Sequence, residues 1–317
     1  MKAVIYHQYG GIEVLKIESM EKPKINDNQL LVAVHASSVN PIDWKIRRGD
    51  IKIVSGINFP NKLGCDFAGE VAALGKNVSG YKIGDAVYGT FDPVEGGAYA
   101  EYLAVSPDNV AIKPANMSFE EAATMPTVGL TALQGLTHQA KIKPGDQILI
   151  NGCSGGVGIM AIQIAKIYGA EATGVCSEKG FAISRKMGAD KLINYHEEKL
   201  LETKERFDIF FDVVANQNFT KAKKLLKKHG TFVTTKPSPK TFIQSEVDSL
   251  FSSKKFKFIL AHPNTEDLNT LRELIERGKL TTVIDKTFSL EEIKAAHAYG
   301  ETMRTKGKVA ISINSRA

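Results

Sequence analysis

The chain has 317 residues, of which 43% are apolar and 24% charged, and this composition excludes a disordered or low-complexity protein. Its 41 basic and 35 acidic residues leave a net charge of +6 and are scattered along the sequence, which does not favour a dedicated nucleic-acid surface. Three cysteines without a C-x-x-C pair exclude a disulfide scaffold and a cysteine-rich zinc clip, and no apolar run reaches the roughly 20 residues of a membrane span.

The N-terminal part of the chain predicts short strands joined by tight turns. Its first residues lack the apolar segment of a signal peptide, so we expect a cytoplasmic protein. "LLVAVHASSV" (30–39) has the composition of a strand, and the closely spaced glycines of "GEVAALGKNVSGYKIGDAVYG" (69–89) are typical of a small β-rich fold. The pattern changes at Ser118, where Glu121 completes a capping box before a helix.

Strands and helices alternate from residue 147 onward. "QILIN" (147–151) predicts a strand, "GVGIMAIQIAKIYG" (156–169) a helix and "EATGVC" (171–176) a second strand. The alternation continues to residue 235 and includes a predicted helix with a solvated basic face at "FTKAKKLLKKHG" (219–230). It predicts an α/β fold with a doubly wound parallel sheet.

The same patterns divide the chain into three segments. We expect a β-rich domain over residues 1–122, a dinucleotide-binding domain over 123–262, and a tail over 263–317 that returns to the first domain. Residues 236–258 are candidates for a segment that covers the substrate pocket.

The stretch "INGCSGGVG" (150–158) predicts a phosphate-binding loop. It runs from a strand into a helix, whose N-terminus offers backbone N–H groups and a favourable dipole to an anion. Gly155 lets the backbone approach a pyrophosphate and Gly158 lets the helix pack closely, whereas Cys153 stands where the first glycine of the pattern is usual. The alternative is a tight turn without a ligand. The loop residues expected to bind a cofactor are Ser154, Gly155, Gly156 and Val157.

The end of the second strand favours NADPH over NADH. An NAD enzyme would have an acidic residue there to bind the ribose hydroxyls, but the position holds Ser177, which leaves room for a 2′-phosphate. Lys179 can supply positive charge to that phosphate, and Tyr195 at the end of the next strand can reach the same region. The alternative reading of Lys179 is that it begins a surface helix.

Several motifs, in this order, resemble the medium-chain dehydrogenase/reductase superfamily and its zinc-free quinone oxidoreductase branch. They include "SSVNPIDWKIRRGD" (37–50), "LGCDFAGEVAALGKNVSGYKIGDAVYG" (63–89), "EAATMPTVGLTALQGL" (121–136) and "GADKLINY" (188–195), together with the glycine loop. The resemblance implies a GroES-like catalytic domain interrupted in sequence by a Rossmann domain. It also implies a homodimer joined through the edge strands of two Rossmann sheets.

The resemblance also bears on the metal. The positions of the catalytic zinc ligands in zinc-dependent relatives correspond to Asn40, Cys65 and Thr124, and one thiolate beside an amide and a hydroxyl is not a zinc site. Asp66, which follows the second position, is expected to bond backbone groups in a turn. We therefore predict no metal.

Without a metal, the resemblance implies hydride transfer from NADPH to an α,β-unsaturated carbonyl or a quinone. Asn40 and Lys45 are candidates to stabilise the oxygen of the developing enolate, although Asp43 could simply pair with Lys45. Further cofactor contacts are expected from the nicotinamide-facing helix, from the ends of later strands and from the closing strand: Thr127, Thr131, Val214, Ala215, Asn216, Thr235, Lys236, Pro237 and Lys308. Two other hypotheses are an NADPH-binding regulatory or RNA-associated protein with little turnover and a zinc alcohol dehydrogenase.

Overall fold

The computed structural model describes residues 1–56, 59–197, 200–236, 243, 247 and 252–314. The chain forms two compact units. Met1–Thr127, Pro263–Gly278 and Thr282–Ala317 make up the first unit, and Val128–His262 with Lys279–Thr281 make up the second. No helix in the described part of the chain is both long and apolar enough to cross a membrane.

Strands are numbered in chain order. They are β1 (Lys2–Tyr6), β2 (Lys16–Ser19), β3 (Leu30–Val39), β4 (Asn61–Lys62), β5 (Asp66–Leu74), β6 (Ala86–Thr90), β7 (Tyr102–Val105), β8 (Val110–Ile112), β9 (Gln147–Asn151), β10 (Glu171–Cys176), β11 (Lys191–Asn194), β12 (Phe207–Asp212), β13 (Leu226–Thr234), β14 (Lys255–Phe258), β15 (Ile284–Ser289) and β16 (Lys308–Ser312).

The α-helices are numbered in the same way. They are α1 (Pro41–Arg48), α2 (Lys52–Ser55), α3 (Phe119–Ala123), α4 (Pro126–Leu133), α5 (Gly156–Ile167), α6 (Phe181–Lys186), α7 (Phe219–Ala222), α8 (Thr265–Glu276) and α9 (Ile293–Glu301).

The first unit is built around two sheets. In the larger sheet the strand order is β15-β16-β3-β5-β6-β8, with β7 also paired to β3, and in the smaller it is β2-β1-β4. β3 lies inside the larger sheet. It pairs along one side with β5, and along the other side with β16 near Val39 and with β7 near Leu30. The pairing of β3 with β16 joins the N-terminal part of the chain to its tail.

The second unit contains a six-stranded sheet in the order β11-β10-β9-β12-β13-β14. Every neighbouring pair in it is parallel. The sheet's order reverses at β9, so that β10 and β12 flank it, and ligands of doubly wound sheets bind at such a switch point. The predicted fold class, a Rossmann sheet with a GroES-like β-rich domain, is confirmed.

The predicted helix over residues 219–230 is wrong in its second half. The helix α7 ends at Ala222, a single 3₁₀ turn follows, and β13 begins at Leu226. Leu226 pairs with Phe207 of β12 and is buried, so strand pairing in the core overrides the local helical spacing.

The capping box at Ser118 is confirmed, but the helix after it is short. The Ser118 hydroxyl accepts from the Glu121 N–H, and the Glu121 carboxylate accepts from the Ser118 N–H. The helix α3 stops at Ala123 and a new helix begins at Pro126, because proline has no N–H to continue a helix and is favoured in a first turn.

Candidate functional site

The loop between β9 and α5 turns sharply at Gly152, whose φ of +87° is in the left-handed region that favours glycine. Cys153, the next residue, therefore does not need that conformation. The helix α5 begins after Gly155, which caps it without a side-chain hydrogen bond. The N–H groups of the first helical turn are thus left for an anion rather than for a capping side chain.

Gly155 and Gly158 have different surroundings. A Cβ added to Gly155 would meet no atom nearer than the Gly152 carbonyl oxygen at 3.7 Å, so the space beside this residue is not filled by the protein. A Cβ added to Gly158 would lie 2.1 Å from the same oxygen. Gly155 thus fits a close backbone approach by a ligand, whereas Gly158 is required for the packing of α5 against the loop.

Cys153 is a packing residue beneath this loop. It is fully buried, its Sγ lies 3.3 Å from Ser184 Oγ, and a Cβ on Gly174 would approach its Sγ to 2.6 Å. The hydrogen bond with Cys176 and burial raise the pKa of the Cys153 thiol. This small buried thiol therefore packs between Gly174 of β10 and Ser184 of α6, which is a structural role.

The residues predicted to bind a 2′-phosphate lie at the carboxyl ends of β10 and β11. Ser177 follows β10 directly and caps a 3₁₀ turn over Glu178–Gly180, while Lys179 is exposed in that turn. Tyr195 follows β11, is 55% exposed and packs against His196 with ring centroids 4.3 Å apart. The adjacent strands thus present these three side chains at one edge of the sheet.

The loops after β12 and β13 contain the next set of predicted cofactor residues. Val214 and Asn216 are exposed, and Ala215 between them has a φ of +60°. Thr235 donates from its hydroxyl to the Val213 carbonyl, and Lys236 is exposed. Pro237 and most of the segment predicted to cover the pocket, residues 237–242, 244–246 and 248–251, lie outside the described residues.

A buried polar network occupies the first unit. Asp66, at the start of β5, is fully buried and accepts hydrogen bonds from Ser38 Oγ at 2.9 Å and Asn40 Nδ2 at 2.8 Å. Its other oxygen accepts from the backbone N–H and the hydroxyl of Thr127, at 3.0 and 2.6 Å. The prediction that Asp66 bonds backbone groups in a turn holds only for the Thr127 N–H, because Asp66 lies in a strand and three of its four donors are side chains, from β3, from the residue before α1 and from α4.

Asn40 and Lys308 are linked inside this network. Lys308 Nζ donates to Asn40 Oδ1 at 2.5 Å and to the Val39 carbonyl at 2.9 Å, and it lies 3.8 Å from Asp66 Oδ2. Burial lowers the pKa of the Lys308 ammonium, and the carboxylate of Asp66 opposes that shift. The ammonium that was predicted to contact the cofactor is thus held against the amide of Asn40.

Asp43 forms the second carboxyl of the network. Its Oδ2 accepts from the Asn40 backbone N–H at 2.7 Å, which caps α1, and from the Tyr99 hydroxyl at 2.7 Å. Its Oδ1 has no hydrogen-bond partner among the described residues. Burial raises the pKa of Asp43 to about 7, because the charged form would be desolvated.

Not all predicted site residues come together. Asn40 is buried at the cap of α1, whereas the side chain of Lys45 lies on the exposed face of the same helix. Asp43, the alternative partner of Lys45, is instead buried against Tyr99. Thr127 is partly exposed beside Asp66, and Thr131 is buried in the second unit.

Comparison with known proteins gives the family. A model described as an alcohol dehydrogenase GroES-like domain matches residues 26–115, and one described as a zinc-binding dehydrogenase matches residues 187–311. The chain is 36% identical to the 2-methylene-furan-3-one reductase of Solanum lycopersicum over 98% of this chain and 79% of that protein. The chain belongs to the medium-chain dehydrogenase/reductase superfamily.

Other members of the superfamily are similar over the same length. The NADPH-dependent alkenal/one oxidoreductase of Arabidopsis thaliana is 33% identical over 98% of this chain and 79% of that protein. The solved structure of the quinone oxidoreductase from Coxiella burnetii superposes with a TM-score of 0.92 at 37% identity and covers 99% of both chains. This medium-chain dehydrogenase/reductase is accordingly an oxidoreductase, and the resemblance seen in its motifs is confirmed.

The donor set does not fit the zinc ion that the description of the second family model implies. Asn40 uses its amide oxygen for Lys308, and Thr124 bonds the Glu121 carbonyl and the Thr282 hydroxyl. Burial raises the pKa of Cys65 well above its ordinary value, which favours the neutral thiol over the thiolate that zinc requires. Within the described ranges, no three His, Cys, Asp or Glu side chains form a group that could hold a metal.

Sequence reasoning missed two acidic residues that organise these sites. Asp66 was taken for a turn residue, and Asp212, at the end of β12, was given no role although it is fully buried. The available signal is the same in both cases: an acidic residue stands at one end of an apolar strand, where neighbouring loops can donate to it.

Proposed function

We propose that this protein is an NADPH-dependent, zinc-independent reductase of α,β-unsaturated carbonyls or quinones. The carrying observation is the group found at the superfamily's metal position, an Asn40 amide held between the Lys308 ammonium and the Asp66 carboxylate. Such a site has no Lewis acid for the oxygen of an alcohol, but it can polarise a conjugated carbonyl by hydrogen bonding. The names of the tomato and Arabidopsis relatives support this substrate class.

A nicotinamide dinucleotide fits the second unit. The open space beside Gly155 and the first-turn N–H groups of α5 suit a pyrophosphate, with Ser154, Gly156 and Val157 around it. Ser177, Lys179 and Tyr195 would bind the 2′-phosphate of NADPH, since no carboxylate directly follows β10 to claim the ribose hydroxyls. Further proposed contacts are Thr127, Thr131, Val214, Ala215, Asn216, Thr235, Lys236 and Pro237. The bound cofactor supplies a hydride equivalent to the substrate.

The chain's own contribution to the reaction is electrostatic. Lys308 fixes Asn40 Oδ1, so Nδ2 is the only donor end of the amide and one of its protons already goes to Asp66. The second proton is directed to Cys65 Sγ, which lies 3.7 Å from Nδ2. The thiol sulfur is a weak acceptor that a substrate oxygen can replace. We therefore assign to Asn40 the stabilisation of the enolate oxygen, to Lys308 the orientation of that amide, and to the exposed Lys45 no step.

Isotope transfer tests this function directly. The purified protein would be given NADPH carrying deuterium at the transferable position, together with a simple enone and, separately, a quinone. We expect cofactor oxidation, with deuterium at the β-carbon of the saturated ketone product. The matched substrate control is the saturated ketone itself, which lacks a β-carbon electrophile and should not be reduced.

Four outcomes would contradict the proposal. Absence of cofactor oxidation with every enone and quinone refutes the reductase, and deuterium on the carbonyl carbon points to an alcohol dehydrogenase. Tighter binding of NADH than of NADPH refutes the proposed cofactor preference. Stoichiometric zinc in the purified protein, measured by elemental analysis, refutes zinc independence.

Nothing in the described part of the chain favours the alternative, an RNA-associated protein. Within the basic stretch 221–230, Lys227 Nζ is paired with Asp208 at 2.8 Å, and the second half of the stretch belongs to β13 rather than to a basic helix. Salt-dependent binding of a single-stranded oligonucleotide would revive that alternative.

A further inference from the structure

The carboxylate of Asp212 lies directly behind the loop that follows β12. It is fully buried, and it accepts from the Ala215 N–H at 3.1 Å and from the Gln217 N–H at 2.8 Å. Two backbone N–H groups of this loop thus converge on one carboxylate, which fixes the course of residues 213–217.

This loop holds a conformation that its sequence does not favour. Ala215 has a φ of +60°, and for a residue with a Cβ the left-handed region costs about 1 kcal/mol or more relative to glycine. The backbone hydrogen bonds to Asp212 come from the strained residue and from Gln217, two residues later. Asp212 is therefore the group that compensates for the strain.

The same carboxylate ties the loop to the glycine turn after β9. Asn151, the last residue of β9, donates from Nδ2 to Asp212 Oδ1 at 2.7 Å and to Asn216 Oδ1 at 2.9 Å. The Val213 N–H donates to the Asn151 carbonyl at 3.2 Å, and a Cβ on Gly152 would approach Val214 Cγ2 to 2.6 Å. The two loops are consequently held at a fixed spacing.

Asn216 acquires a defined orientation from these contacts. Its Oδ1 accepts from Asn151 Nδ2 and from Gln217 Nε2, both at 2.9 Å, so its own Nδ2 is the end left to face outward. Asn216 is exposed, and Val214 before it is 43% exposed. The loop therefore presents a rigid amide donor and an apolar surface at the carboxyl edge of the sheet.

We propose that Asp212, assisted by Asn151, is a positioning residue for the cofactor: it sets the left-handed turn at Ala215 and so holds Val214 and Asn216 beside the glycine loop. This inference rests on the proposed function, because it assumes that NADPH binds at this edge. Asp212 is fully buried behind the loop, so its loss should weaken cofactor binding and leave the chemical step intact.

The test compares two carboxylates at opposite ends of the same strand. Asp212→Asn keeps the shape of the side chain but places an NH₂ group, a donor, against N–H groups that need an acceptor. We expect NADPH to bind about ten-fold more weakly, while kcat at saturating NADPH changes by less than about two-fold. The matched control is Asp208→Asn: Asp208 accepts from the Gln147 N–H at the amino end of β12. This control should lower thermal stability without changing the NADPH dissociation constant.

A second substitution separates positioning from general damage. Ala215→Gly removes the cost of the left-handed turn, so adding it to Asp212→Asn should recover about three-fold in NADPH affinity. Should Asp212→Asn fail to fold, Asn151→Ala carries the test, with NADPH binding expected to weaken about three-fold.

The inference is overturned if Asp212→Asn binds NADPH within about two-fold of the unaltered protein, or if Asp208→Asn weakens NADPH binding equally. It is also overturned if adding Ala215→Gly restores no NADPH affinity, or if Asn151→Ala, where that variant is used, binds NADPH as the unaltered protein does. An unaltered protein that binds no NADPH at all refutes the proposed function as well, and this failure is distinct because it precedes any substitution.

Discussion

The amide of Asn40 has a partner for both of its polar atoms. A lysine can only donate hydrogen bonds, so the atom that faces Lys308 must be Oδ1 and the atom that faces Asp66 must be Nδ2. The opposite charges of Lys308 and Asp66 lie 3.8 Å apart and are buried, so each compensates for the desolvation of the other. This arrangement preorganises a neutral donor in an environment of low dielectric constant.

Asp43 gives the first unit a pH-dependent stability. Its pKa rises from 3.8 to about 7 on folding, chiefly through burial. The folded state therefore retains a proton that the unfolded chain releases above pH 4. The contribution of Asp43 to stability is full below pH 4 and is lost as the pH rises to 7, by up to about 4 kcal/mol.

Asp43→Asn should remove this dependence. The free energy of unfolding of the variant, minus that of the unaltered protein, should increase between pH 4 and pH 8, because the unaltered protein loses stability over this range and asparagine does not ionise. Urea unfolding at several pH values measures the difference, and the other buried carboxyls, such as Asp212, cancel in it. A difference that is constant over this range would show that Asp43 ionises with an ordinary pKa.

At the scale of elements, the turn from β9 into α5 contains two glycines with different roles, Gly155 beside open space and Gly158 in tight packing, and substitution can separate these roles. Gly155→Ala places a methyl group in open space at a φ of −84°, so the free energy of unfolding should change by less than about 0.5 kcal/mol. The same methyl group should weaken NADPH binding, because it occupies the space proposed for the pyrophosphate.

Gly158→Ala is the matched comparison. Its Cβ would collide with the Gly152 carbonyl oxygen, so the variant should lose ~2 kcal/mol of stability by displacement of α5 from the loop. Chemical denaturation and fluorescence titration with NADPH measure the two effects. Equal NADPH affinity in Gly155→Ala and the unaltered protein would argue against a phosphate at this helix.

The glycine loop was predictable because its signal is local, whereas the elements that were misjudged depend on distant contacts. β13 begins at Leu226 because Phe207 pairs with it there, and helical spacing alone cannot reveal this partner. Likewise, the left-handed turn at Ala215 contains no glycine from which it could be predicted, and hydrogen bonds to Asp212 stabilise it. Propensity and periodicity describe the chain locally, and tertiary hydrogen bonds override them.

At the scale of the whole molecule, the α/β class follows from the alternation of strands and helices, but the polar network does not follow from any local pattern. Lys308 and Asn40 are 268 residues apart in sequence, and they meet because β16 of the tail pairs with β3. The returning tail was predicted. The contact that it makes was not, because a strand's register cannot be read from its own residues alone when the partner strand is equally apolar.

The expected homodimer would form through an edge strand of the six-stranded sheet. β14 and β11 are its outermost strands among the described residues, and each is paired on one side only. An open edge is a template for a second strand. If two copies join through β14, light scattering should give twice the chain mass of 34.6 kDa.

Proline substitutions identify which edge is used. Lys257→Pro in β14 should dissociate the dimer, because proline disrupts the strand at that edge, whereas Lys191→Pro in β11 should leave its mass unchanged. The melting temperature of the unaltered protein should also rise with concentration, since the dimer stabilises the folded state by mass action. A monomeric mass at all concentrations, or dissociation by Lys191→Pro alone, would exclude pairing through β14.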